Sequence, residues 1–178
     1  MKNSWKANPA MSIPGDLIIV NTGPLLALEA CNQIEVLRHL FARIVVPDEV
    51  DKELRAGRKR PLLPGGLTSA HRRWIEILSL SHPPQSPLVA RLDPGEAAVI
   101  QLALELGASL VLIDDRSAWR VALAIGLTCI GSVGIILLAK NEGLIKEVKP
   151  YLYEMQTKGV YLSQKVIDDA IARAGETP

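Results

Sequence analysis

The chain has 178 residues, of which 48% are hydrophobic and 22% charged, with a formal net charge of +1. That balance excludes an intrinsically disordered chain, and the length suits one domain that buries a core without disulfide or metal staples. A near-neutral sum neither demands nor excludes a nucleic-acid partner, so the placement of the charges carries more information than their total.

Aromatic residues are only 4% of the chain, so the core is expected to be aliphatic. Cys31 and Cys129 both lie in apolar stretches and are expected as separate buried thiols, since a disulfide framework or a zinc site needs more cysteines at closer spacing. Residues 1–15 read as an N-terminal extension in which Lys, Asn, Trp and Pro mix without an apolar run, and Met11 is an alternative start. The lack of a secretory signal in that stretch sets a cytoplasmic location as the expectation.

Leu17-Ile18-Ile19-Val20 is a continuous apolar run, the pattern of a strand buried on both faces in a parallel sheet. It ends in Asn21-Thr22-Gly23-Pro24, a turn signal. Helix is expected from Leu25 to Leu40, in two pieces around Cys31-Asn32, followed by a strand at Ile44-Val45-Val46 that Pro47 stops. Asp48 to Ala56 places its charges on one side and Val50 and Leu54 on the other, as an amphipathic helix does. Arg55 to Pro64 reads as a basic loop, and Trp74 to Leu80 as an edge strand.

The plainest helix signal is Leu92-Asp93-Pro94-Gly95-Glu96, with Asp93 as N-cap, Pro94 at the first helical position and Glu96 completing a capping box. Gly107 closes that helix. A buried strand at Leu110 to Ile113 leads into Asp114-Asp115-Arg116 and a helix to about Ile125. A strand at 127–130 and helices near 132–141, 144–156 and 163–174 complete the chain. Strands alternating with helices at this spacing predict an α/β fold, a three-layer α/β/α arrangement around a central parallel sheet.

The uncharged stretch from Val121 to Ala139, between Arg120 and Lys140, is long enough for a hydropathy window to flag a membrane span. Gly126, Gly131 and Gly134 cut it into pieces of globular size, so no membrane segment is expected. His39, His71 and His82 lack metal-ligand spacing. Gly131-Ser132-Val133-Gly134 faintly suggests a phosphate loop but fits neither the P-loop nor the dinucleotide fingerprint, and tight packing is the favoured reading.

Ligands of open parallel sheets bind past the carboxyl ends of the strands. Asn21 follows the first strand there and Asp114-Asp115 follow the 110–113 strand, with Glu53 and Glu96 on helices able to reach the same edge. Carboxylates brought together repel, so one is protonated or a divalent ion compensates; oxygen-only ligands suit Mg2+ or Mn2+. Each of these residues also has a plain structural reading. Asn21 stabilises a turn, Glu53 sits on a solvated helix face, Glu96 belongs to a capping box, and one of the two aspartates N-caps a helix.

Ile18 to Leu28 resembles the first strand and turn of a PIN domain. Val46 to Leu54 is similar to the PIN helix carrying the second acid, at Glu53; Leu92 to Ala103 to the helix carrying the third, at Glu96; and Leu110 to Arg116 to the strand carrying the fourth. The resemblance runs from about residue 17 to 140, giving a PIN-like domain at 16–142 and a helical tail at 143–178 that packs on it. It implies a metal-dependent ribonuclease of VapC-like toxin type using Mg2+ or Mn2+, with RNA as substrate, a small antitoxin as partner and a homodimer as assembly. The implied catalytic residues are Asn21, Glu53, Glu96 and Asp115, and the implied metal ligands Asn21, Glu96, Asp114 and Asp115. Asp115 is expected to face the metal while Asp114 caps the next helix or joins the outer shell.

Arg55, Arg58, Lys59, Arg60 and Arg116 are the expected RNA contacts, the first four from a basic stretch with no acid between Arg55 and Arg73. Three positions depart from the family pattern. Asn21 stands where the first acid is usually Asp, Glu96 replaces an Asp, and Trp119 stands where the related branch often has a cation. The first departure sustains a second reading, a PIN fold that binds RNA or protein without turning substrate over.

Overall fold

A computed structural model describes residues 17–57 and 66–177. Four segments of β-branched and leucine residues form strands β1 (Leu17–Val20), β2 (Arg43–Pro47), β4 (Leu110–Leu112) and β5 (Thr128–Ile130), with β3 (Ile75–Leu78) at one edge. The sheet is five-stranded, in order β3-β2-β1-β4-β5, and every pairing is parallel. Ile18, Ile19 and Val20 are fully buried between β2 and β4, which explains the uninterrupted apolar run.

Among the described residues, eight helices flank the sheet: α1 (Thr22–Ala30), α2 (Leu37–Leu40), α3 (Asp48–Arg55), α4 (Pro94–Leu106), α5 (Arg116–Ala124), α6 (Ser132–Asn141), α7 (Lys149–Thr157) and α8 (Gln164–Arg173). The expected three-layer α/β/α class is the one observed. Aliphatic side chains dominate the core, with Phe41 its one fully enclosed aromatic ring among the described residues. Both thiols are buried and free, and burial pushes Cys31 up to about 12 and Cys129 up to about 11.

Several boundaries differ from the sequence reading for physical reasons. The turn expected at residues 21–24 is the start of α1: Asn21 caps it, and Pro24 falls in the first turn, where no backbone donor is needed. The helix expected from 144 begins instead at Lys149. Gly143 ends α6 in a left-handed conformation, the Leu144 N–H turns back to the Ala139 carbonyl, and Pro150 opens α7. No described helix is long and apolar enough to cross a membrane, and the 121–139 stretch divides into α5, β5 and α6.

The tail closes onto the body of the fold, with α7 against α1 and α8 against α6. Glu176 holds it there, accepting hydrogen bonds from Lys140 Nζ (2.7 Å), Val148 N (2.6 Å) and Lys149 N (3.0 Å). Burial works against that carboxylate, but the three donors outweigh it and its pKa lies below the usual range.

Candidate active site

The strand order reverses direction between β1 and β4, so their carboxyl ends diverge and leave a crevice. There lies a pocket of about 200 Å³ lined by Asn21, Thr22, Gly23, Glu53, Asp93, Glu96, Asp114 and Asp115. Five of these are carboxylates and none is basic. Residues more than ninety positions apart in sequence therefore meet because two adjacent strands both end at the same edge.

Asn21 and three of the acids are held at helix starts. Asn21 N-caps α1, its Oδ1 accepting the Thr22 N–H at 2.8 Å. Asp115 N-caps α5, with Oδ1 accepting from Ser117 N (2.7 Å) and Ala118 N (3.0 Å). Asp114 reaches across to α6, where its Oδ1 accepts from Ser132 N (2.8 Å) and Ser132 Oγ (3.2 Å). Glu53, on α3, accepts from Thr22 Oγ1 (2.7 Å) and from Gly95 N in the first turn of α4 (3.1 Å). The positive ends of four helices thus lie against the anionic pocket and offset part of its self-repulsion.

This arrangement revises two expectations. The capping role expected of Asp114 belongs to Asp115, because Asp115 directly precedes α5 while Asp114 is drawn toward the α6 donors across the sheet edge. The capping box expected at Asp93 lacks its first half. Asp93 makes no capping hydrogen bond, and the Gly95 N–H in that first turn is taken by Glu53.

Two glycines let the backbone come this close. A Cβ on Gly95 would stand 2.6 to 2.8 Å from the Glu53 carboxyl atoms, and one on Gly131 would stand 2.9 Å from Asp114 Oδ1. Gly131-Ser132, faintly suggestive of a phosphate loop in sequence, is instead the cradle of an aspartate. Asp114 is exposed as a residue, while its Oδ1 is held by Ser132 at the start of α6. Desolvation pushes its pKa up, opposed by the two Ser132 donors.

Sequence reasoning missed Thr22 and Asp93 in the lining of this pocket, and Gly95 and Ser132 as donors to its acids. The available signal was position: Ser132 lies just past the end of β5, next to β4, so it faces whatever follows β4. Among the RNA contacts expected, Arg116 is exposed beside the pocket. Arg55 is paired with Asp51 at 2.8 Å while its side chain stays 57% exposed. Arg58, Lys59 and Arg60 lie outside the described residues.

Among the described residues, no three His, Cys, Asp or Glu side chains stand close enough together to ligate one ion simultaneously. The donor chemistry nonetheless suits a hard cation: every available ligand atom is an oxygen, and no lysine or arginine is among the lining residues. Mg2+ commonly binds through one or two carboxylates and keeps several waters.

No curated protein matches the chain. A family model, DUF3368, described as a PIN domain, matches residues 17–176, which takes in the helical tail as well as all five strands. The chain belongs to the PIN-domain family, a nuclease-type fold.

Proposed function

We propose that the protein is a divalent-cation-dependent ribonuclease that hydrolyses RNA phosphodiester bonds at the β1/β4 crevice. The observation that carries this reading is the five-carboxylate pocket at the switch point of a PIN fold, with no basic residue among its lining. Asn21, Glu53, Glu96, Asp114 and Asp115 would surround Mg2+ or Mn2+, one or two of the carboxylates binding it directly and the others through its retained waters. Such an ion, when bound, supplies a water of lowered pKa and polarises a phosphodiester oxygen.

The chain's own groups perform the remaining work. Thr22 and the Gly95 N–H fix the Glu53 carboxylate, and Ser132 fixes that of Asp114, so neither reorganises when substrate arrives. An unfilled acidic pocket repels a phosphodiester, which makes substrate binding and cation binding interdependent. Arg116 beside the pocket, with the basic stretch from Arg55 to Arg60, would attract the RNA backbone. The VapC-like toxin role, with a small antitoxin partner and a homodimeric assembly, is part of the same proposal and rests on the sequence resemblance.

One observation favours a second reading, a PIN fold that binds without turnover. Asn21 brings no negative charge, and its Oδ1 already accepts the Thr22 N–H. Incubating the protein with labelled single-stranded RNA and Mg2+ or Mn2+, beside Glu53→Gln and Asp115→Ala, separates the two. Metal-dependent cleavage that both substitutions abolish supports the ribonuclease. Binding without cleavage supports the second reading, and cleavage indifferent to both substitutions contradicts the site.

A further inference from the structure

A larger groove of about 900 Å³ opens from the acidic pocket and shares Gly23, Asp114 and Asp115 with it. Its walls come from α5, the first turn of α6, the 160–163 segment between α7 and α8, and α8 itself. The chain has only three Trp, three Tyr and one Phe, yet Trp119 and Tyr161 both line this groove. Tyr161 is 88% exposed, an extreme value for a large side chain with an apolar ring, whereas Trp119 is half-buried against the core. Arg116 lines the same groove, beside the two aspartates it shares with the pocket.

Aromatic faces and a guanidinium plane beside a phosphodiester-cleaving pocket match the chemistry of an unpaired nucleotide, whose base stacks while its phosphate meets a cation. Asp169 on the α8 wall disfavours a phosphate there, so that side suits a base rather than a run of backbone. Resting on the ribonuclease reading above, we propose that this groove is a nucleobase subsite. It would receive one unpaired base of single-stranded RNA next to the scissile phosphate, stacked between Tyr161 and Trp119, with Arg116 contacting the adjoining phosphate. The helical tail then has a role in substrate recognition, because Tyr161 belongs to it. Double-stranded RNA, whose bases are already stacked and paired, would be refused.

The test uses the full chain with Mg2+ present and RNA whose backbone resists hydrolysis, so that binding is read without cleavage and without the repulsion of an unfilled pocket. Fluorescence anisotropy compares a short single-stranded RNA of mixed sequence with the same backbone made abasic, for the wild type, Tyr161→Ala and Tyr161→Phe. Tyr161 is exposed enough that its replacement leaves the fold intact. The wild type is expected to bind the RNA about ten-fold more tightly than the abasic strand, with Tyr161→Ala erasing that difference and Tyr161→Phe keeping it. Equal affinity of wild type and Tyr161→Ala for RNA, or no preference of the wild type for bases, overturns the subsite. A retained base preference in a protein that never cleaves RNA would overturn the ribonuclease reading and leave the subsite standing. Where cleavage does occur, Tyr161→Ala should raise KM far more than it lowers kcat.

Discussion

Asp51 and Glu53 sit two residues apart on α3 and live in opposite worlds. Asp51 is 2% exposed and holds two guanidinium groups, Arg72 at 2.6 Å and Arg55 at 2.8 Å. Glu53 turns to the other side and meets a hydroxyl, a backbone N–H and further carboxylates. A buried carboxylate matched by full positive charges is a structural element that needs nothing more. The pocket that Glu53 enters has five carboxylates and no basic residue among its lining, an electrostatic deficit that a cation can fill. The difference teaches which acids of one helix belong to the scaffold and which to the chemistry.

The contrast can be broken most forcefully from the pocket side. Gly95→Ala places a methyl within 2.8 Å of the Glu53 carboxyl carbon and must displace it, although the helix itself gains from alanine. RNA cleavage is expected to fall about 100-fold, with thermal stability little changed, as a misplacement of about 1 Å predicts. Activity assays beside thermal unfolding check this, and unchanged cleavage would show that Glu53 need not stay where it is.

Asp51→Asn should do the reverse. It leaves two guanidiniums without their anion, but both remain partly exposed, so the cost should be about 2 kcal/mol, below the ~3–5 kcal/mol of a fully enclosed pair. Denaturant unfolding measures that loss, while cleavage by the folded variant should match the wild type.

Asn21→Asp sharpens the comparison in the gaining direction. Aspartate caps a helix as well as asparagine does, so α1 should keep its start. The added charge should tighten Mn2+ binding about ten-fold, in line with the dependence of affinity on ligand charge. Calorimetric titration reads this directly; an unchanged affinity would place residue 21 outside the ion's reach.

The smallest effect belongs to the tail. Glu176→Gln should cost about 1 kcal/mol of stability by weakening the hydrogen bonds from Lys140, Val148 and Lys149. The folded-state pKa of Glu176 is lowered, so its stabilisation is present above the ordinary carboxylate value near 4.5. That contribution is lost as pH falls through the lower folded value. Melting curves of wild type and variant should therefore converge as the solution is made acidic.

The strands were legible because fully buried parallel strands leave uninterrupted runs such as Leu17–Val20, and those runs ended where the acids began. Asn21, Asp114 and Asp115 were accordingly visible as candidates. The site role of Glu53 rested almost wholly on the family resemblance, because a helix written DEVDKELR gives no sign of which acid turns inward to an arginine and which toward the pocket. The Gly95 and Ser132 donors were hidden for a different reason. Their importance lies in the approach of α4 to α3, and of the start of α6 to the residues following β4, contacts set by tertiary packing rather than by local pattern.

The account rests on the claim that the acids lining the β1/β4 pocket form a divalent-ion site. Mn2+ titration followed by electron paramagnetic resonance, on wild type, Asp114→Asn and Asp51→Asn, tests it most directly. Saturable Mn2+ binding by wild type and Asp51→Asn, lost or greatly weakened in Asp114→Asn, is the predicted result. A wild type that binds no Mn2+ saturably, or an Asp114→Asn variant that binds it undiminished, would contradict the claim.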